Sequence, residues 1–513
     1  MGIPYYYGNI IKQNPNLLVV NKHIRANRLF IDFNSIIHGA TANVTKGGCK
    51  NVPNSEIFDE VLKHTKYVIE QSQVDELVYL AVDGVAPRAK IQQQRRRRYM
   101  TGYRNDLINK FKIANNIPIC SWDSNCITPG TQFMIDLHQF LTDSIIGLNQ
   151  KYNIKVILSG FDEVGEGEHK IIRYIKSFNN HKTRNVIYGM DADLIMLSLS
   201  CQNSTIFLMR EKQYKVFELL DINLLRVGIS NNLTMHDYIF MCFFLGNDFI
   251  PAVTFLKIHH NAINILCDIY YNVKTNKQFD NLVLCNNGLY SINAPFLLAI
   301  LEVLAGEEAN LLVAAENNFQ NEQLRHSKQN CTPMERFIVN LENTPLNKKQ
   351  IGFFEKSKHN GTSWRHEYYH ELFLNHEEST IKKASYNYID GFQWTLDYYF
   401  NIDKPIDTKY YYKYNYAPTM MDVYKYYLQG EGTQTNLQNT NDVDPLVQLL
   451  MVLPPSSKNL LPQDIKSVMT DPSRGLLHCY PAAFKISMYL KKQLWECIPI
   501  LPDISESEIK QMI

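Results

Sequence analysis

Five short apolar runs punctuate the first part of the chain, and each gives way to a stretch with helical spacing: Arg28–Asp32, Glu76–Val82, Lys155–Leu158, Asn185–Tyr188 and Ser204–Met209. Such runs, bounded by Asp and Gly, read as strands buried on both faces. Their alternation with helices predicts an α/β fold built on a mostly parallel sheet. Glycines at 160, 165 and 167 loosen the backbone ahead of a helix that carries Ile171, Ile172 and Ile175. Leu245-Gly-Asn-Asp248 ends a further apolar helix. After about residue 275 the alternation stops. Helical Phe296–Val313 precedes polar Asn317–Asn330, and from Trp364 the chain becomes crowded with tyrosine, phenylalanine and tryptophan. Gln429–Asn441 is expected to be a surface loop. The expected organisation is an α/β core over 1–275, a helical and polar connection over 276–360, and a second, helix-rich aromatic segment over 361–513 packed on the core.

One stretch breaks the apolar pattern. Asp83-Gly84 ends a strand, Pro87 suits a first helical turn, and no Gly or Pro follows until Gly102. On that helix Lys90, Gln94, Arg97 and Arg98 share one face, while Arg88, Gln92, Arg95 and Arg96 form a second stripe of the same spacing. Periodicity does not decide which stripe faces inward. Four consecutive arginines alone would read as a nuclear signal or a solvated face.

Composition narrows the classes. The chain has 513 residues, 45% hydrophobic and 20% charged, as in globular proteins, and is long enough for two or three domains. Lys+Arg 52 against Asp+Glu 51 gives +1, so a polyanionic partner must be met by a local patch. The ten cysteines (49, 120, 126, 201, 242, 267, 285, 331, 479, 497) show no zinc-ligand spacing and read as reduced thiols of an intracellular protein. No leader and no apolar run of about 18 residues is present, so no membrane is expected. His259-His260 and the remaining histidines read as without ligand spacing.

Asp32, Asp83, Asp191 and Asp193 fall at or just past the carboxyl ends of strands, where open α/β sheets place their sites. With Glu166, Glu168 and Asp248 they make seven carboxylates. Any one alone is as well explained as a cap or turn former. Together they would repel one another unless divalent cations neutralised them, and oxygen donors select Mg²⁺ or Mn²⁺.

Here the sequence resembles the XRN family of 5′→3′ exoribonucleases. The resemblance is carried by Met1-Gly-Ile-Pro4, Ile31-Asp-Phe-Asn-Ser-Ile-Ile-His38, Ala81-Val-Asp-Gly-Val-Ala-Pro-Arg-Ala-Lys90 with Gln93-Gln94-Arg95, Gly165-Glu-Gly-Glu-His-Lys170, Asp191-Ala-Asp-Leu-Ile-Met-Leu197 and Leu245-Gly-Asn-Asp-Phe-Ile-Pro251. Gly391-Phe-Gln-Trp394, Tyr416-Ala-Pro418, Met469-Thr-Asp-Pro472 and Trp495-Glu496 extend it over nearly the whole chain. It implies a PIN/FEN-like nuclease core in which the seven acids hold two Mg²⁺ ions, with Mn²⁺ able to substitute. It assigns Lys90, Gln94, Arg97 and Arg98 to a 5′-monophosphate, selecting one of the two stripes, and His38 and Trp394 to base stacking. Two departures stand out: Ile406–Tyr416 lacks the family's Trp residues and Pro, and Tyr5 replaces a small or basic residue. The end at Ile513 matches a minimal, viral-type member carrying the catalytic module alone.

The resulting expectation is an Mg²⁺-dependent, monomeric hydrolase that degrades 5′-monophosphorylated single-stranded RNA to 5′-mononucleotides in RNA decay, cytoplasmic rather than nuclear. The alternatives are a flap-type structure-selective DNA 5′-nuclease and a catalytically silent RNA-binding scaffold.

Overall fold

The computed structural model describes residues 2–19, 25–45, 52–119, 122–178, 182–213, 216–230, 233–328, 330–430, 443–474 and 476–513. Most of the loop expected over Gln429–Asn441, together with Met1, Cys49 and Cys120, lies outside them.

The centre is a seven-stranded sheet in the order β1-β7-β6-β5-β2-β3-β4. The strands are β1 (Leu18–Val19), β2 (Arg28–Asp32), β3 (Leu77–Ala81), β4 (Lys155–Ser159), β5 (Arg184–Tyr188), β6 (Thr205–Gln213) and β7 (Val216–Asp221). β6, β5, β2, β3 and β4 run parallel, matching the five apolar runs. β7 and β1 add an antiparallel edge that the pattern did not announce. Val216–Asp221 is only partly buried and carries Glu218, because an antiparallel strand next to the sheet's edge need not be apolar on both faces.

Alternate residues of the central strands feed two different cores. Leu29, Ile31, Val78 and Leu80 pack among the helices Phe33–Thr45, Asn54–Ser72 and Gln132–Tyr152. Phe30, Tyr79, Ala81 and Ile187 face a larger core formed with the helices Gly167–Phe178, Asp193–Ser200 and Met235–Phe243. That core continues without interruption into the long helix Glu378–Phe400, so the aromatic segment is built onto one face of the sheet.

The basic helix spans Arg88–Ala114 and runs through Gly102, where a side chain would meet no other atom within 4 Å. One glycine costs a helix only about 1 kcal/mol, too little to end a helix anchored by tertiary contacts. The stripe left open by periodicity now has a role. Arg95, 0% exposed, donates to the carbonyls of Cys479 (2.5 Å) and Pro502 (2.6 Å). Arg88 donates to the Ile504 carbonyl at 2.6 Å and pairs with Asp503, and Arg96 reaches the Tyr414 carbonyl. These guanidinium groups fasten the last third of the chain to the helix. Lys90, Gln94, Arg97 and Arg98 are left to face elsewhere.

The divergent run Ile406–Tyr416 wraps the aromatic segment. Trp394 donates its indole N–H to the Asp407 carbonyl at 2.8 Å, Tyr410 stacks on the Trp394 ring, and Tyr412 donates to the Tyr416 carbonyl. Eight described cysteines are free thiols, and no described helix is long and apolar enough to cross a membrane.

Candidate active site

The parallel strands β5, β2, β3 and β4 lie side by side and deliver their acids to one edge. Asp32 ends β2. Asp83 lies two residues past β3. Glu166 and Glu168 flank the first residue of the helix after β4, and Asp191 and Asp193 follow β5. The sheet reverses its order between β2 and β5, so this is the switch point where open sheets leave a crevice. Asp248 joins from the turn after Met235–Phe243.

Each acid is held. Ser35 donates to Asp32 Oδ2 at 2.7 Å. Asp83 accepts from Asn34 Nδ2 at 2.8 Å and from the Gly167 amide at 2.7 Å. Tyr398 O–H donates to Glu166 Oε1 at 2.6 Å, and Tyr399 O–H lies 3.5 Å from Asp193 Oδ1. Gly2 closes the floor: its φ is +57°, and a Cβ there would sit 2.2 Å from Asp193 Oδ1. Only glycine meets both demands.

Burial and mutual repulsion show in the carboxyl groups. Burial, with Asp83 and Asp191 nearby, pushes Asp32 up to about 8; burial and Asp248 push Asp193 up to about 7. Burial also raises Glu166 and Glu168. The Lys90 ammonium enters this cluster. It pairs with Glu166, donates to Asp248 Oδ2 at 2.8 Å, and lies 4.0 Å from Glu168. Burial would lower Lys90, but these carboxylates outweigh it and hold it charged. Seven acids around one such ammonium leave anionic charge that a divalent cation fits, and the donor set is hard oxygen. Glu166, Glu168 and His169 offer ligand atoms within 4.8 Å of one another.

The rest of the Lys90 stripe continues from the acids. Gln94 and Arg98 are buried, yet Gln94 Oε1 and Arg98 Nη1 make no hydrogen bond. Burial and the neighbouring Arg97 lower Arg98 to about 9. Arg97 is exposed on the wall of a groove of about 770 Å³ that Gly2, Gln93, Asp191 and Asp248 also line. His38 is exposed, and its charged neighbours are Arg97, Arg98, Asp83 and Asp191. Trp394 is placed differently. It is 1% exposed and stacks on Tyr398 (centroids 5.0 Å apart) and Tyr410 (5.4 Å), with Phe249 in a T-shaped contact, centroids 5.0 Å apart.

Sequence reasoning passed over several supports. Tyr398 and Tyr399 come from the second segment and bear no local mark of their acid partners. Arg210 of β6 donates to the carbonyls of Met190 and, at 3.3 Å, Asp191, with its guanidinium 4.3 Å from the Tyr7 ring. It fixes the loop that presents Asp191. Only the adjacency of β6 to β5 could have revealed it.

Comparison with known proteins identifies the family. Residues 1–212 match the XRN 5'-3' exonuclease N-terminus, and residues 230–293 and 302–513 match the Xrn1 helical domain. The chain is 26% identical to 5'-3' exoribonuclease 1 of Schizosaccharomyces pombe over 99% of its length and 48% of the relative's. It is also 26% identical to 5'-3' exoribonuclease 1 of Homo sapiens, over 99% of this chain and 34% of that one. For 5'-3' exoribonuclease 2 of Gallus gallus the figures are 26%, 97% and 65%. The chain thus spans about a third to two thirds of the length of these relatives. Among solved structures, the catalytic core of Rad2 in complex with DNA substrate aligns over 70% of this chain and 84% of that one, with 11% identity and a TM-score of 0.32, too low to bear on the fold. With both family matches together running through nearly all 513 residues, the chain belongs to the XRN family of 5'-3' exonucleases.

Proposed function

We propose that this chain is a 5′→3′ exoribonuclease that hydrolyses 5′-monophosphorylated single-stranded RNA to 5′-mononucleotides, using two Mg²⁺ ions, as part of RNA decay. The observation that carries the reading is the joining of two features on one helix. Lys90 sits inside the seven-acid cluster, and Gln94 and Arg98 beyond it hold buried polar atoms without partners. Buried polar atoms without partners are costly, so the Arg98 nitrogen suits a ligand that supplies an acceptor. A phosphate dianion can accept from Arg98 and Arg97, and from Gln94 once its amide turns the NH₂ toward it.

Asp32, Asp83, Glu166, Glu168, Asp191, Asp193 and Asp248 would hold the metals. When bound, the ions would make a hydroxide-like nucleophile from water and neutralise charge on the attacking and leaving oxygens. The protein residues do the rest. Arg97 and Arg98 grip the terminal phosphate, which sets the first internucleotide bond against the acids. Tyr398 and Ser35 orient Glu166 and Asp32, and His38 at the rim offers a ring face to the end bases. Stacking on Trp394 requires a base to replace Tyr410 or Tyr398 on its face. The 361–513 segment completes the pocket through Tyr398 and Tyr399, with 276–360 connecting it to the core.

End-labelled RNAs bearing 5′-monophosphate, triphosphate or hydroxyl ends test this. Monophosphate RNA is expected to decay at least about tenfold faster than the others, as charge-assisted bonds to a phosphate are worth about 1.5–3 kcal/mol. EDTA should abolish the reaction. Arg97→Ala with Arg98→Ala should narrow the preference. Equal decay of monophosphate and hydroxyl RNA would remove the pocket assignment. Preferred cleavage of branched DNA would favour a flap-type nuclease, and binding without cleavage a scaffold.

Arg210 gives a second expectation. Arg210→Lys keeps the charge but loses the fork that spans two carbonyls, so kcat should fall about 10- to 100-fold. KM for RNA and the melting temperature should change little. A change in KM alone would place Arg210 in RNA binding instead.

A further inference from the structure

We propose that His366, His370 and His376 form a binding site for a transition-metal ion of the Zn²⁺ class, separate from the acid cluster. His366 and His370 stand four residues apart on the helix Trp364–Leu372, so they project from one face. Their rings lie parallel to within 10°, with centroids 6.0 Å apart. His376 belongs to the following loop, yet its ring is 4.4 Å from that of His366 and 6.0 Å from that of His370. Three imidazoles bound through nitrogen at about 2.0–2.1 Å to one ion hold their centroids roughly 5 Å apart. These rings are near that spacing but must turn to bring one nitrogen of each together. Among the described residues only Glu166, Glu168 and His169 already hold three ligand atoms within 4.8 Å of one another.

The chain reversal that gathers them is specific. The helix stops at Leu372, and Leu374 adopts φ 55°, a left-handed backbone that leucine seldom takes. The Asn375 side chain then accepts from the Glu377 amide at 2.8 Å, closing the turn that brings His376 back. The resulting order, His-Glu-x-x-His with a third histidine six residues later, has the ligand spacing of a known zinc motif. This spacing stands against the reading of these histidines as without ligand spacing; the stretch from Trp364 stands out in the sequence by its aromatic residues instead.

The site binds without being a peptidase. In the zinc hydrolases the Glu of this motif is the general base. Here Glu367 is 7% exposed, and its Oε1 accepts from Thr362 O–H at 2.5 Å and from Asn360 Nδ2 at 3.1 Å. It caps the preceding turn and is turned away from that task. His370 and His376 are exposed and His366 half-buried, so the rings can rotate to converge their nitrogens on an ion. Neutral imidazoles without carboxylate oxygens favour Zn²⁺, Co²⁺ or Ni²⁺ over Mg²⁺. Because His376 lies two residues before the helix Glu378–Phe400, a bound ion ties the start of that helix to Trp364–Leu372.

Titration of the full chain with Co²⁺ tests the site, since four-coordinate nitrogen sites absorb strongly in the visible and six-coordinate oxygen sites weakly. One equivalent should produce the strong band, and Zn²⁺ should displace it. Zn²⁺ should also raise the melting temperature by a few degrees. Both effects should vanish in His370→Ala and in His376→Gln, whose exposed positions leave folding intact. A weak band only, or a strong band that survives in both variants, would overturn the proposal.

Discussion

Asp193→Asn is expected to abolish cleavage while leaving RNA binding in place. The change keeps the shape of a side chain that is 2% exposed and removes only its charge. If Asp193 holds a metal, the loss is several kcal/mol of transition-state stabilisation, and at about 1.4 kcal/mol per decade kcat falls by a thousandfold or more. Stability should move the other way or not at all. Burial and Asp248 already push the Asp193 carboxyl up to about 7, so a neutral amide relieves repulsion. Asp237 provides the contrast. It is equally buried, but its carboxylate accepts from the amides of Leu282 (3.1 Å) and Val283 (2.7 Å) and from Tyr270 O–H (2.5 Å). Asp237→Asn turns a donor against donors and should cost about 1–3 kcal/mol of stability, with activity per folded molecule preserved. Measuring kcat and melting temperature for both variants separates a metal ligand from a structural acid. Near-normal cleavage by Asp193→Asn and Asp191→Asn would end the two-metal reading.

Trp394→Ala should destabilise the protein severely. The ring is stacked against Tyr398 and Tyr410 and meets Phe249 in a T-shaped contact, and its N–H is satisfied by the Asp407 carbonyl. Removing such a side chain costs about 3–5 kcal/mol, a fall in melting temperature of about 3–5 °C for a chain of 513 residues. Trp394→Phe keeps much of the packing and should cost less than half as much. Base stacking would add a second signature, because a base on the ring is worth roughly 1–3 kcal/mol. Its loss should slow passage through stem-loops more than cleavage of a short unstructured oligomer, beyond what lost stability explains. Equal slowing of both substrates per folded molecule would assign Trp394 to the core alone. Tyr398 makes that outcome informative: it stacks on Trp394 and also donates to Glu166, so a collapsed Trp394 site reaches the acids through packing.

The amino-acid sequence by itself determined the elements with the strongest local physics. Five parallel strands, the central ones buried on both faces, stand out as apolar runs. The acids at their ends are equally plain, because strand termini and Asp-Gly turns are local features. The two stripes of the basic helix were also legible as stripes. Their roles were not, since period alone is the same for a face that grips carbonyls and one that meets a ligand. Only the folded chain showed that Arg88, Arg95 and Arg96 fasten Asp503, Ile504, Cys479, Pro502 and Tyr414, leaving Lys90 among the acids and Arg98 with an unpaired nitrogen. The edge strands β1 and β7, the Arg210 clamp and the Tyr398–Glu166 bond were likewise decided by tertiary structure. Each joins residues whose local sequence carries no record of the partner. A strand announces its own burial, but a hydrogen bond across 232 residues exists only once the chain has closed around it.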